Sequence, residues 1–78
     1  MLDPDKLLDK VMEYAPKHER QGRFITSKNK LWQFIIQIDP EADIRNMFEV
    51  IYELDARGWL FLNSENEIEF DPACFKNK

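Results

Sequence analysis

Apolar side chains along this chain recur at a helical period up to Gly58 and at a strand period beyond it. Leu7, Leu8, Val11, Met12 and Ala15 fall three or four residues apart and make one apolar stripe. Asp3 is a good N-cap, and Pro4 follows at the first helical position, where its missing N–H costs nothing. Pro16 disfavours helical geometry at Ala15, so the first helix is expected to end there. "KHERQG" is polar, ends in glycine and reads as a loop. "RFIT" is a short β-prone segment. Ser27 or Thr26 then caps a second helix, "SKNKLWQFIIQI", in which Leu31, Ile35 and Ile38 share a face widened by Trp32 and Ile36. By period alone that run also fits a buried strand. The cap and the i, i+4 spacing favour the helix, with deep burial of the apolar run.

Asp39–Pro40 repeats the cap-and-proline start and is expected to open a third helix running to about Arg57. Ile44, Met47, Phe48, Ile51 and Leu54 give its buried stripe, the clearest periodic signal in the chain. Gly58 follows at the position where helices commonly stop. "WLFL" and "EIEFD" then flank "NSEN". The second segment alternates, with Ile68 and Phe70 inward and Glu67, Glu69 and Asp71 outward, the pattern of a half-buried strand. A four-residue hairpin loop joins the two. Phe75, in the tail, is expected to pack back on the sheet.

These elements predict one small α+β domain over residues 1–78, with three helices and a small antiparallel β-sheet. Seventy-eight residues is near the lower limit for folding on a hydrophobic core alone. The two Trp, two Tyr and six Phe supply the large packing surfaces such a core needs. The single cysteine, Cys74, cannot form an internal disulfide, and no apolar run reaches membrane-spanning length. The expected location is the cytoplasm.

Charge is distributed unevenly. Residues 1–38 carry seven Lys/Arg and five Asp/Glu, whereas residues 39–78 carry four and ten. The basic extreme is "KHERQGRFITSKNK", and the acids gather in the third helix and the hairpin.

The order helix, "RFIT", helix, helix, hairpin resembles the winged helix-turn-helix superfamily at the level of architecture, with "LDARGWLFL" similar to the usual junction between third helix and wing. That resemblance implies that the third helix is a recognition helix, that "NSEN" is the tip of the wing, and that the ligand is DNA.

The side-chain chemistry argues against the last of these. A groove-reading helix carries Arg, Lys, Asn or Gln near its start, with further cations for phosphates. Arg45 and Asn46 are candidates for the bases. Lys17, Arg20, Arg23, Lys28 and Lys30 are candidates for the backbone, although a solvated loop whose charges pair with nearby acids explains them better. Around them stand Glu41, Asp43, Glu49, Glu53, Asp55, Glu65, Glu67 and Glu69, which repel a polyanion. The leading expectation is therefore a non-catalytic module that binds a protein partner or its own copy, and a DNA-binding regulator is the alternative. Candidate contact residues are Glu49 and Glu53 on the acidic helix and Trp59 and Phe61 on "WLFL". If Leu60 and Leu62 face the core, Trp59 and Phe61 form an exposed aromatic pair, unless the first helix or Phe75 covers them. Neither catalysis, a metal nor a cofactor is expected. His18 is alone in a polar loop, Ser27 serves as a cap, and the only glycines, Gly22 and Gly58, make no phosphate loop.

Overall fold

A computed structural model describes residues 3–72. The chain runs through helix α1 (Pro4–Tyr14), a 3-10 turn (Ala15–His18), strands β1 (Glu19–Arg20) and β2 (Arg23–Thr26), and helices α2 (Lys28–Ile38) and α3 (Ile44–Ala56). Strands β3 (Leu60–Leu62) and β4 (Ile68–Phe70) complete it. The result is an α+β fold with a four-stranded antiparallel sheet in the order β1-β2-β4-β3. The strand before α2 is thereby joined to the hairpin after α3, a layout compatible with a winged helix. Cys74 and Phe75 lie outside the described residues.

Local chemistry sets the helix ends. The Asp3 carboxylate accepts from the Lys6 amide and the Ser27 hydroxyl accepts from the Lys30 amide, so both caps sit at expected positions. The third helix starts later than Asp39–Pro40 suggests. The Asp39 amide donates to Ile35 and closes α2, and its side chain accepts from the Glu41 amide. Asp43 is the N-cap instead, in a reciprocal box with Asn46: Asp43 Oδ1 accepts from the Asn46 amide and Asn46 Oδ1 from the Asp43 amide. Two capping side chains outcompete an Asp-Pro pair that offers only one. At the other end, Gly58 (φ +74°) donates to Asp55, and Trp59 donates to the Leu54 carbonyl 2.9 Å away. This left-handed stop sets the residue after the glycine beside Leu54 in the last helical turn.

"KHERQG" is not a plain loop. Its second half is a hairpin in which Gln21 (φ +55°) and Gly22 (φ +76°) turn β1 back onto β2. Two positive φ values in a two-residue loop match the right-handed twist of the flanking strands. The β3–β4 connection also differs slightly. Asn63 already pairs with Glu67, leaving a three-residue loop that ends at Asn66 (φ +61°).

The core lies between the helices and the inner face of the sheet. Leu7 and Val11 of α1, Leu31 and Ile35 of α2, Met47, Ile51 and Leu54 of α3, and Leu60, Ile68 and Phe70 of the sheet are all buried in it. Ile36 and Ile44, expected in the buried stripes, are exposed, because each points past the edge of its helix contact. Thr26 is buried on the inner side of the sheet, with its hydroxyl lacking a hydrogen-bond partner. No helix among the described residues is long and apolar enough to cross a membrane.

Candidate functional site

Alternation along the strands decides what the sheet shows to the outside. Residues paired across the sheet point to the same side, so Ile25, Glu69 and Phe61 share the face away from the helices. Arg23 lies two residues before Ile25 and Glu67 two before Glu69, on the same face. Opposite charges therefore meet. The Arg20 guanidinium donates to Glu67 across 2.7 Å. The Arg23 guanidinium makes an ion contact with Glu69, whose side chain is only 12% exposed. The contacted oxygen is shielded from solvent, so the Arg23 charge is what answers it. The hydrogen bond from Arg20 is the largest influence on Glu67 and holds its carboxyl below the usual carboxylate range, against a smaller opposing effect of desolvation.

Two of the five basic candidates are thus neutralised by the hairpin. Lys17, Lys28 and Lys30 are exposed and form no ion pair among the described residues. The Lys28 ammonium stands 5.9 Å from the centre of the Phe48 ring. Lys30 bears on His18, which is half-buried, with its ring 3.9 Å from that of Tyr14. Burial, then the Lys30 charge, hold the His18 imidazole below its ordinary pKa. His18 is accordingly a packed residue and not an exposed bystander.

On α3, the two candidate base readers are engaged locally. Asn46 is committed to its cap. Arg45 reaches Asp43 at 3.4 Å and Glu49 at 4.0 Å. The outward surface of this helix carries Ile44, 49% exposed, and Tyr52, 66% exposed, with the Phe48 ring stacked 6.2 Å from Tyr52. Glu49 and Glu53 lie on the other flank, and Glu53 accepts from Arg57.

That acidic flank borders a groove of about 340 Å³ between α1 and α3. Leu7, Leu8 and Val50, buried otherwise, form its floor. Asp5, Asp39, Glu49 and Glu53 line it as well, and neither lysine nor arginine does among the described residues. Asp5 and Asp39 come from segments far from α3 in sequence. Periodicity marks the floor residues only as core, so the groove is invisible before the helices are docked.

The expected Trp59–Phe61 pair does not form. Leu60 is buried as expected, but Leu62, opposite Ile68 on the edge strand, is 49% exposed. Phe61 is 46% exposed. Trp59 is instead partly buried against the core, and the Arg57 guanidinium covers its ring at 5.2 Å. The left-handed stop at Gly58 places Trp59 against the helix end before the strand alternation begins. The exposed apolar side chains of β3 are therefore Phe61 and Leu62, on opposite faces of the edge strand. Among the described residues, no group of three or more His, Cys, Asp or Glu side chains is placed to hold a metal ion.

Compared with known proteins, the chain matches no protein-family model, no curated protein and no solved structure.

Proposed function

We propose that this chain is a non-catalytic protein-interaction module on a winged helix-like scaffold, with the outward surface of α3 as its main contact face and Phe61 as an accessory contact. The observation that carries the reading is the composition of the α3 surface. Where the winged helix architecture would place base-reading and phosphate-binding side chains, α3 exposes Ile44 and Tyr52 beside Glu49 and Glu53. Its one arginine near the helix start is held by two carboxylates. Exposed aromatic and aliphatic side chains are suited to a protein partner. Carboxylates in the same place repel phosphate and withhold the counterion release that gives DNA binding most of its affinity.

A DNA-binding regulator is the second reading. It draws support from Lys17, Lys28 and Lys30, the last two in the first turn of α2, where the helix dipole favours anions. Arg45 and Asn46 would then have to leave their local partners to reach bases.

A photo-crosslinking residue at Tyr52, introduced in producing cells, separates the two. Protein adducts that resist nuclease are expected, together with absence of duplex DNA binding by the purified chain at low salt. Nuclease-sensitive adducts, or DNA binding that weakens steeply with salt and is lost in Lys28→Glu, would replace the first reading by the second.

A further inference from the structure

The groove between α1 and α3 has a chemistry of its own. Its floor is aliphatic, through Leu7, Leu8 and Val50, and its walls carry Asp5, Asp39, Glu49 and Glu53 without a lining cation among the described residues. Arg57 and Arg45 touch Glu53 and Glu49 from outside, at 2.9 Å and 4.0 Å, and answer those charges only in part. We infer that this groove takes a basic amphipathic segment of a partner protein, with an aliphatic side chain seated on Leu7, Leu8 and Val50 and flanking Lys or Arg side chains on Asp5, Glu49 and Glu53. The inference rests on the protein-interaction reading and names the partner's chemistry at one site.

Charge complementarity selects the occupant. An acidic or neutral segment would leave the Asp5, Glu49 and Glu53 carboxylates beside an apolar contact, whereas a basic one meets them with the opposite sign. The spacing of Glu49 and Glu53, one helical turn apart, suits cations one turn apart on a helix laid along the groove. The basic segment of a second copy fits poorly. Its Arg20 and Arg23 are held by Glu67 and Glu69, and the aliphatic residue next to its free lysines, Leu31, is fully buried. This chain therefore offers no exposed cation beside an aliphatic anchor in that segment.

A synthetic 16-residue peptide with Leu at helical spacing and Lys elsewhere is the probe, titrated into isotope-labelled protein with amide shifts as the readout. Shifts centred on Leu8, Glu49 and Val50 are expected, with binding that weakens as salt rises. The double variant Glu49→Gln/Glu53→Gln is expected to raise Kd at least tenfold while its thermal melt stays in place. A peptide with Leu replaced by Ala is expected to bind at least tenfold more weakly, and one with Glu for Lys not at all. Undiminished binding to the double variant, or equal binding of the Ala or Glu peptide, would overturn the assignment. So would protection of the groove by concentration-dependent dimerisation. Shifts centred on Tyr52 or Phe61 would overturn the groove while leaving the wider interaction reading in force. Failure of the wider reading shows separately, as nuclease-sensitive adducts at position 52.

Discussion

The outer face of the sheet and the groove between α1 and α3 are both rich in carboxylates, and they differ in what answers the charge. On the sheet, strand alternation sets Arg20 and Arg23 beside Glu67 and Glu69, so Glu69 has a cation from the adjacent strand and Glu67 one that reaches across from β1. In the groove, helical periodicity sets Glu49 and Glu53 on one flank of α3, facing Asp5 and Asp39 over an aliphatic floor. The first surface pairs its acids across the sheet, whereas the second sets Asp5 and the partly answered Glu49 and Glu53 over an aliphatic floor. Counting charges along the chain does not separate them. The basic segment and the acidic hairpin look like two opposed interaction regions in one dimension, and in three Arg20 and Arg23 of the one are answered by Glu67 and Glu69 of the other.

Breaking the comparison starts with the floor. Leu8→Ala removes a core side chain and is expected to destabilise the fold by about 2–5 kcal/mol, whereas Phe61→Ala on the sheet face should cost about 1 kcal/mol or less. Urea denaturation of the two variants measures the difference. Similar losses would mean that the sheet face is packed as tightly as the groove floor. The inner side of the sheet provides a polar counterpart. Thr26→Val replaces a buried hydroxyl that lacks a partner and keeps the β-branched shape, so a stabilisation of about 1 kcal/mol is expected in the same assay.

Charge variants sharpen the contrast further. The folded state holds the Glu67 carboxyl below its ordinary pKa, so the Arg20–Glu67 pair contributes above the ordinary carboxylate range and is lost as pH falls through the lowered value. Arg20→Ala should therefore lower the melting temperature slightly at neutral pH and leave it unchanged in strong acid. Glu49→Gln/Glu53→Gln has no such closed pairing to break at Glu49, and its stability should stay within about 0.5 kcal/mol of the parent at neutral pH. The smallest effect concerns His18. Burial and then Lys30 hold its imidazole below the ordinary pKa, so its contribution is complete above the ordinary histidine pKa and declines as pH falls through the lowered one. An NMR titration of Lys30→Gln should show the His18 pKa moving part of the way back up.

Much of the fold was legible in the sequence, and the errors have identifiable causes. The first two caps, the glycine stop and the alternation at Ile68 and Phe70 were read from single residues. The start of α3 was misplaced because Asp39–Pro40 and Asp43–Asn46 both look like helix openings, and only the second satisfies amides from both directions. The hairpin at Gln21–Gly22 was missed because β1 is two residues long and polar, below any alternation signal. Trp59 was assigned to the strand pattern when the helix stop controlled it. At the groove, Glu49 and Glu53 are named by charge alone, whereas nothing along the chain joins Asp5, Asp39, Leu8 and Val50 to them.

By itself, then, the sequence determined whatever depends on a few neighbouring residues: where helices begin, which stripe each one buries and where the chain reverses at Gly58. Those preferences act through hydrogen bonds and side-chain directions spanning only three to five positions. Tertiary structure decided which charges met. Arg20 and Glu67 are separated by 47 positions and yet share a hydrogen bond, and Asp5 faces Glu53 only because α1 docks on α3. Electrostatic energy depends on distance in space, and distance along the chain carries almost no information about it once helices and strands have packed.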